Sequence, residues 1–573
     1  MRPTIRRREA DISASLQAAA ISPLLRRVYA GRGVVDAAEL SLTLKGLLPP
    51  DRLLGANDAA ALLADAIEGE ARVVIVGDFD ADGATSSALA VDVLQQMGLS
   101  EVSFLVPNRF EFGYGLSPEI VALAAERVPD LIVTVDNGIS SIDGVACARE
   151  MGISVLVTDH HLPGPTLPAA DVIVNPNQPA CSFPSKSLAG VGVMFYVLTA
   201  LRAELRRRNW FQHAGIEEPN LGDALDLVAL GTVADVVPLD RNNRILVAAG
   251  LARMHAGRAR PGIAALFEVA GRDIARASST DLGFIAGPRL NAAGRLDDMS
   301  LGIECLLSQS TLEARPRAEE LDRLNRERRQ IEQGMQTEAL KRLEQTEVSA
   351  EKMPFALCVH DDTFHQGVVG IVASRLKEKF HRPTIVFADA GDGDLKGSGR
   401  SLPEVHLRDV LARVDALHPG LILKFGGHAM AAGLTLDGAR FDQFAAAFNE
   451  AVAEALGHQP PEPVYDSDGA LSAAEVSLTQ AEALRAAGPW GQKFPEPVFD
   501  GVFDVIDQRI VGERHLKLRL SVEGQSVDAI AFNIEPLDWA EPVQRVGALY
   551  RLDVNEFRGE RTAQLNIVKL WTE

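Results

Sequence analysis

The sequence predicts an α/β protein with two α/β domains joined by a long helix and followed by a small β-barrel. Between residues 70 and 175, short apolar strands alternate with helical segments. Residues 317–347 form an amphipathic run, and from about residue 463 apolar and polar residues alternate between turn signals. The resulting domain assignment is an N-terminal segment at 1–45, α/β domains at 46–310 and 351–457, the joining helix at 311–350 and the β-domain at 458–573.

The composition limits the class of protein. The chain has 573 residues, of which 47% are hydrophobic, enough for several packed cores. Apolar runs stay below the roughly 18 residues of a membrane helix, and the basic N-terminus lacks the apolar segment of a secretory signal. The four cysteines are scattered, which indicates neither a disulfide framework nor a zinc finger. We therefore expect a cytoplasmic protein with no membrane partner.

The formal net charge of −21 disfavours nucleic-acid binding by the surface as a whole. Acidic enzymes of this kind usually act on small molecules. A nucleic-acid ligand would therefore need a local cluster of cations.

The first α/β domain is predicted from five short strands rich in valine and isoleucine. Strands that are apolar on both faces are typical of a buried parallel sheet. The intervening segments, such as residues 117–128, suit helices, and residues 188–300 are expected to be mainly helical. The predicted strands are residues 72–77, 102–107, 131–135, 153–158 and 171–175.

The joining helix is predicted over residues 317–347, whose only glycine is Gly334. Pro316 is placed at the first helical position, where a missing N–H is tolerated. A dimerising coiled coil is the alternative, but the apolar stripe is too short to favour it.

Acids and histidines follow three of the predicted strands. Because ligands bind beyond the carboxyl ends of parallel strands, we expect these side chains to converge, together with one acid that follows a helix. The candidates are Asp78, Asp80 and Asp82 in "GDFDADG", Asp136 in "VTVDNGISS", Asp159, His160 and His161 in "VLVTDHHLP", and Asp235 in "ALGTVADVVPLD".

Such a cluster needs cations. Two like charges about 4 Å apart repel by roughly 4 kcal/mol at an effective dielectric constant near 20. Carboxylates with imidazole suit Mn²⁺, carboxylates with water suit Mg²⁺, and this many acids favours two ions, a pairing that fits phosphate-ester hydrolysis. Each motif, taken alone, is also consistent with a capped turn. Three such strand ends in one unit, however, favour a metal site. The glycine is not followed by Lys and Ser or Thr, so a nucleotide phosphate loop is not indicated.

The motifs "GDFDADG", "VDNGISS", "DHH" and "GTVADVVPLDRNNR" resemble the four motifs of the DHH phosphoesterase superfamily. The segment "GGHAMAAG" (426–433) resembles the signature of the associated DHHA1 domain. The segment "GPRLNAAGR" (287–295) restricts the resemblance to a smaller group within the superfamily. The motif order, the long helix and the terminal β-domain resemble the single-stranded-DNA-specific exonucleases of that superfamily over nearly the whole chain. The resemblance implies an OB-like barrel and 5′-to-3′ hydrolysis of single-stranded DNA to mononucleotides, in DNA repair and recombination. It also implies a helicase and a single-strand-binding protein as partners.

The resemblance further implies how two Mn²⁺ (or Mg²⁺) ions are held. His161 would face the scissile phosphate. Asp159 would orient an imidazole by a hydrogen bond without binding a metal itself. Asp136 would bridge the ions. The implied ligands are Asp78, Asp80 and Asp136 for one ion, and Asp82, Asp136, His160 and Asp235 for the other.

Arginines beside glycine-rich turns are the candidates for DNA contacts. One surface arginine is usually only solvated, but a set near turns whose amides can meet phosphate suggests a channel between the two α/β domains. The resemblance makes Arg109, Arg289 and the turn at 370–375 candidates for holding the 5′ end, while His428 is either a backbone contact or a buried packing residue. The full DNA-binding set is Arg109, Arg289, Asn291, Arg295, Ser374, Arg375, Ser398, Arg400 and His428.

The β-domain offers basic stretches at 508–520 and 556–561. Its aromatic residues Phe494, Phe532 and Phe557 are candidates for stacking on bases, although such residues are more often core. Two other functions stay open. A phosphodiesterase for short oligonucleotides or cyclic dinucleotides would match residues 70–455 but usually lacks the β-domain. A non-catalytic single-strand-binding scaffold would have no use for a complete set of acids.

Overall fold

The structure, a computed structural model, describes residues 3–107, 115–345, 353–512, 514–534, 539, 542–557 and 559–573. The chain forms two compact units, the first comprising Met1–Asp322 and Tyr465–Glu573 and the second Arg323–Val464. Among the described residues, no helix combines the length and the apolar character needed to cross a membrane. The domain boundaries given above remain predictions.

The first unit contains a five-stranded parallel sheet, which confirms the sequence prediction. A short strand, β1 (Thr4–Arg7), precedes it. The sheet strands are β2 (Val73–Gly77), β3 (Val102–Leu105), β4 (Leu131–Val135), β5 (Ser154–Thr158) and β6 (Val172–Val174). They lie in the order β3–β2–β4–β5–β6. Every residue of β2 and β4 is buried, as expected for strands covered on both faces.

Helices surround this sheet, as the apolar patterning predicts. Among them, α4 and α7 pack on each other and on α9. A single π-helical segment, Leu282–Ala286, leads directly into α13. The helices of this unit up to residue 307 are α1 (Ala14–Ala18), α2 (Pro23–Ala30), α3 (Ala56–Glu68), α4 (Ala81–Gln96), α5 (Pro118–Ala125), α6 (Ile142–Glu150), α7 (Gly190–Arg207), α8 (Trp210–Ala214), α9 (Leu225–Ala234), α10 (Arg241–His255), α11 (Pro261–Val269), α12 (Ser279–Asp281), α13 (Gly287–Leu296) and α14 (Ser300–Leu307). Short 3₁₀ helices cover Ala37–Leu40, Leu44–Gly46, Pro50–Arg52, Leu221–Ala224 and Ile274–Arg276.

The long helix exists, but it begins earlier than predicted. Helix α15 runs from Thr311 to Gln345, so Pro316 lies inside the helix and its assignment to the first helical position was wrong. The Ser310 hydroxyl accepts a hydrogen bond from the Glu313 amide, which supports the earlier start. Further along, Met335, Ala339 and Leu343 pack in the core of the second unit, so this part of the stripe is not available to a coiled coil.

The second unit is a smaller α/β body with a mixed sheet. Its strands lie in the order β10–β11–β9–β8–β7, and only the β7–β8 pair is parallel. Its core includes the stacked rings of Phe444 and Phe448. The elements are β7 (Leu357–His360), α16 (Val369–Phe380), β8 (Thr384–Gly391), β9 (Asp394–Arg400), α17 (Leu407–Leu417), β10 (Lys424–Gly427), β11 (Ala431–Asp437), a 3₁₀ turn at Gly438–Arg440 and α18 (Phe441–Ala455).

The C-terminal region forms a closed five-stranded barrel, as predicted. Its order is β13–β14–β15–β17–β16, and the parallel β15–β17 pair closes it. The preceding strand β12 pairs with β1, which ties the start of the chain to this region. The elements are β12 (Val464–Ser467), α19 (Leu478–Ala486), β13 (Phe499–Val511), β14 (His515–Val522), β15 (Gln525–Ala531), β16 (Arg545–Phe557) and β17 (Glu560–Thr572).

A buried ion pair reinforces this tie. The Arg32 guanidinium donates to both carboxylate oxygens of Asp468, at 2.8 and 3.0 Å, and both side chains are 1% exposed. The Asp468 carboxylate also accepts from the Val498 amide at 3.0 Å. Removing one partner of a buried pair leaves the other charge without compensation, which is strongly destabilising.

We expect Asp468→Asn to lower the free energy of unfolding by about 3–5 kcal/mol, because Arg32 stays buried and charged. Urea unfolding of the full chain measures this change. The matched control is Asp466→Asn, which loses the exposed partner Arg6 and a longer contact of 3.6 Å to Arg8, and should change little. Equal losses in the two variants would contradict a special role for the buried pair.

Candidate metal centre

The carboxyl ends of three adjacent strands carry the residues that the sequence singles out. Asp78 follows β2, Asp136 follows β4 and Asp159 follows β5. Strand β4 pairs in parallel with both β2 and β5, so the three ends lie side by side. Asp235 joins them from the end of α9. The convergence predicted from the sequence is therefore observed.

Overlapping sets of ligand atoms lie close enough together to hold metal ions. Within each set, one ligand atom per residue lies within 4.8 Å of the others. The Asp136 carboxylate belongs to two of the sets, which gives it the position expected of a bridging ligand. Asp159 contributes to none of them. The sets are Asp78, Asp80 and Asp136; Asp82, His160 and Asp235; and Asp136, His160 and His161.

The loop after β2 is held by its own carboxylates. Asp80 is the N-cap of α4, and its Oδ1 accepts from the amides of Asp82 and Gly83 at 2.9 and 3.0 Å. Asp78 Oδ1 accepts from the Phe79 amide at 2.7 Å. The alternation of acids thus serves a capped turn and a ligand set at once, since a carboxylate has further lone pairs for a cation.

Asp82 is fully buried and faces the start of α7. Its two carboxylate oxygens accept from the amides of Gly190 and Val191, at 2.6 and 2.9 Å. Amides at a helix N-terminus stabilise negative charge, which offsets part of the cost of burial. Even so, burial and the charge of Asp80 raise the pKa of Asp82 to about 7.

Asp136 has an unusual backbone and a crowded side chain. Its φ is +62°, a region that aspartate and asparagine enter more readily than most residues. A Cβ on Gly190 would lie 2.5 Å from the Cβ of Asp136, closer than any real contact. Residue 190 must therefore be glycine if α7 is to reach both Asp82 and Asp136.

The acids of the cluster raise one another's pKa. Burial, followed by the charges of Asp82 and Asp80, raises the pKa of Asp136 well above its usual value, and burial with the same neighbouring charges does the same for Asp235. The cause is physical: buried carboxylates that face one another favour their neutral forms. Bound cations would reverse this preference.

His160 provides a direct test of whether a metal fits. Its Nε2 is buried without a hydrogen-bond partner among the described residues, 3.1 Å from Asp136 Oδ1 and 3.4 Å from Asp235 Oδ2. Burial lowers the pKa of His160 to about 4, so its ring is neutral at pH 7. A neutral nitrogen lone pair facing two carboxylate oxygens is repulsive unless a cation lies between them. The residues present therefore fit Mn²⁺ or Mg²⁺.

Asp159 has a supporting position. Its Oδ1 lies 2.8 Å from His161 Nδ1 and accepts from the amides of His160 and His161, and its Oδ2 accepts from the Ile139 amide. Burial alone would raise the pKa of Asp159, but the hydrogen bond and charge of His161 outweigh burial and lower it. Conversely, burial alone would lower the pKa of His161, and the bond to Asp159 raises it. Asp159 thus orients an imidazole, the arrangement that the resemblance implies.

The candidate DNA contacts in the first unit lie on α13. Arg289 is buried and donates to the Ile285 carbonyl and, at 2.8 Å, to Asp322. Asn291 Oδ1 accepts from the Ala81 amide at 2.8 Å, which ties α13 to the "GDFDADG" loop. Arg295 is half-buried in the last turn. Arg109 lies outside the described residues.

The remaining candidates lie in the second unit. Arg375 is exposed on α16 and forms an ion pair with Glu332 at 3.0 Å, and Ser374 beside it is half-buried. Arg400 donates to Ser398 Oγ at 3.1 Å at the end of β9. His428 is exposed, so its reading as a buried packing residue was wrong. A channel between the two α/β domains stays a prediction.

The three candidate stacking rings have different environments. Phe494 is 4% exposed and stacks on Trp490 at a centroid distance of 5.3 Å, so it is core and its assignment as a base-stacking residue was wrong. Phe532 and Phe557 are 55% and 65% exposed. Phe532 also packs edge-on against His515, at a centroid distance of 5.2 Å.

Sequence reasoning missed the residues that hold the ligands in place. The segment 188–201 reads only as a buried helix, yet its first turn supplies both amide donors to Asp82, and the Leu188 carbonyl accepts from His160. Asn137 donates to the carbonyls of Val76 and Val135, which ties the ends of β2 and β4 together. The small residues of "AGVG" (189–192) were the available signal for a close approach.

Comparisons with known proteins agree with this arrangement. Three family models match the chain: the DHH family N-terminal domain over residues 72–232, the DHHA1 domain over 352–454 and the RecJ OB domain over 467–569. The chain is 59% identical to the single-stranded-DNA-specific exonuclease RecJ of Dickeya dadantii, over 96% of each chain.

Solved structures show the same fold with metal. The structure resembles that of Thermus thermophilus RecJ in complex with Mn²⁺, with a TM-score of 0.79 and 32% identity over 98% of this chain and 77% of that one. The Mg²⁺ complex of the same protein gives a TM-score of 0.74 and 30% identity over 98% and 76%. A relative has therefore been solved with either ion, and this chain places acidic and histidine ligand atoms close enough together to hold a metal.

We expect Gly190→Ala to weaken Mn²⁺ binding by about 10–100-fold, because the added methyl group must displace Asp136 or the amides that hold Asp82. Calorimetric titration of the metal-free chain with Mn²⁺ measures this. The control is Gly192→Ala, whose Cβ meets only the flexible Leu188 side chain at 3.2 Å. Unchanged Mn²⁺ affinity in Gly190→Ala would show that the close approach is unimportant.

Proposed function

The chain belongs to the RecJ family of single-stranded-DNA-specific exonucleases, and on this premise we propose that it hydrolyses phosphodiester bonds of single-stranded DNA from the 5′ end and releases mononucleotides. The observation that carries the proposal is the pair of ligand sets that share the edge of the parallel sheet. DNA repair and recombination are the processes that such an activity serves.

The proposed ligand roles follow from the sets of neighbouring atoms. When bound, the two divalent ions would activate a water molecule and stabilise the charge that develops on the transferred phosphate. Asp136 would belong to both ions, because its Oδ1 lies beside His160 while its carboxylate also belongs to the set on the β2 side. The proposed ligands are Asp78, Asp80 and Asp136 for one ion and Asp82, Asp136, His160 and Asp235 for the other.

We assign His161 to the substrate. It is more exposed than His160, and Asp159 fixes the tautomer and orientation of its ring. The raised pKa of His161 favours the protonated ring, which can donate a hydrogen bond to a phosphate oxygen. The role of Asp159 is then to accept from Nδ1–H and to stabilise the charged ring, which leaves Nε2–H to face the substrate.

The proposed 5′ polarity rests on candidate contacts to the terminal phosphate. Arg109, Arg289 and the turn at 370–375 are the proposed grip on the terminal phosphate. Arg289 already donates to Asp322, so binding a phosphate would require it to exchange or share this partner. Arg400 and Ser398 lie beside Gly370, whose Cβ would meet both side chains at 2.9 Å. A small anion can approach where a side chain is lacking.

The β-barrel favours a long strand over a short oligonucleotide or a cyclic dinucleotide. It matches the RecJ OB domain, and Phe532 and Phe557 are exposed on it. Exposed rings in small barrels are suited to stacking on bases. A helicase that supplies single strands, a single-strand-binding protein and a cytoplasmic location stay predictions.

We expect a 5′-labelled single strand of 40 nucleotides to yield labelled mononucleotides at once with Mn²⁺, while a 3′-labelled strand yields a ladder of shortening products. Chelation should stop both reactions. Asp136→Asn should lower turnover by more than about 100-fold, because it disturbs both proposed ions.

Two controls make the result specific. A circular single strand has no end and should stay intact, and Asp143→Asn, which removes an exposed acid from the first turn of α6, should keep full activity. Products that shorten from the 3′ end would refute the polarity, and full turnover by Asp136→Asn would refute the ligand assignment.

A further inference from the structure

A second, cationic cavity lies outside the carboxylate cluster. It has a volume of about 210 Å³ and lies in the first unit, between the N-terminal segment, the start of α10 and the loop before β13. The proposed metal ligands do not line it. Its charged wall consists of Arg32, Glu39, Asp240, Arg241, Arg244 and Lys493. Four cations against two acids are unusual in a chain of net charge −21.

The acids of the wall are already engaged by other groups. Glu39 accepts from the amides of Val35 and Asp36 in a capping box. Asp240 accepts from the Ser185 hydroxyl at 2.6 Å and from the Asn243 amide at 2.9 Å. Neither acid forms an ion pair with a wall cation in the described part of the chain. These donors are neutral, so both carboxylates keep their charge. Because Asp468 neutralises Arg32, the wall holds three cations against these two acids, a net positive charge of one.

Arg244 is the decisive residue. It is 4% exposed, its Nε is buried without a hydrogen-bond partner, and no ion pair reaches its guanidinium among the residues that the structure describes. Its Cζ lies 4.1 Å from the centroid of the Phe494 ring, which also lines the cavity. Arginine cannot shed its proton, so a buried charge stays there, with the ring face beside it and with Glu39 and Asp240 acting on it only through their charges.

The other cations are used differently. Arg32 is neutralised by Asp468, as described above. Arg241 and Lys493 are exposed at the cavity. Arg241 is the first residue of α10, whose N-terminus is already capped by the Asp240 carboxylate. A planar guanidinium with an ammonium group is a combination suited to phosphate.

We propose that this cavity binds a phosphate group, either of a phosphomonoester such as a mononucleotide or of the backbone of a bound single strand. The ligand would pair with Arg244 and Lys493 and complete the hydrogen bonding of the buried guanidinium. Asp240, which lines the cavity, lies five residues after Asp235, a proposed metal ligand.

The test uses the full chain carrying Asp136→Asn, so that strands are not cut and the carboxylate cluster contributes little to binding. Calorimetry measures the affinity for inorganic phosphate and dAMP, and fluorescence anisotropy measures that for a 40-nucleotide oligothymidylate with a 5′-hydroxyl. We expect Arg244→Gln and Lys493→Gln each to weaken binding of at least one of these probes by about tenfold or more. The matched control, Lys341→Gln, changes an exposed lysine of α15 and should have no effect.

The two probe classes separate the two sources of phosphate. If the cavity holds the backbone, both variants weaken oligothymidylate binding and lower its salt slope by about 0.7. If it holds a free phosphomonoester, they weaken dAMP and phosphate binding and leave the strand unchanged. The proposal is overturned if each of the three probes binds to Lys493→Gln as tightly as to the parent chain. Because Lys493 is exposed, this result can be obtained even if Arg244→Gln fails to fold.

Discussion

Repulsion between carboxylates at the edge of a parallel sheet is the constraint on which the rest of the site depends. Strands β2, β4 and β5 end side by side, and the residues that follow them bring Asp78, Asp136 and Asp159 into one small volume. Burial raises the pKa of Asp82 and Asp136, which means that the site opposes its own ionisation until cations arrive. Divalent ions are the compensation that fits the donor atoms.

The surrounding elements hold this unfavourable arrangement in place. The start of α7 presents two amides to Asp82, and the absence of a side chain at Gly190 lets that helix approach Asp136. From the other side, Asn291 on α13 supports the loop after β2. A Cβ on Gly294 would lie 1.8 Å from the Phe79 carbonyl oxygen, so the same helix also needs a glycine to reach this loop. The favourable free energy of packing these helices therefore offsets the electrostatic cost of holding the acids together.

The sequence was sufficient for the strands and for the convergence of the acids, because buried parallel strands are nearly continuous apolar runs and polar residues directly after them must lie at one edge. It was insufficient where a tertiary contact overrides a local pattern. Pro316 lies inside α15 because the helix is capped earlier, and Phe494 belongs to the core because Trp490 and Arg244 enclose its ring. The amide donors at the start of α7 left no chemical signature in the sequence, since any residue supplies an N–H.

The central claim is that these residues hold two divalent ions that share Asp136. Equilibrium dialysis of the chelator-treated chain against Mn²⁺, followed by elemental analysis, measures this most directly. The account predicts two tightly bound ions per chain, none retained tightly by Asp136→Asn, and two retained by His161→Ala, whose imidazole we assign to the substrate. A single bound ion in the unaltered chain, or two in Asp136→Asn, would contradict it.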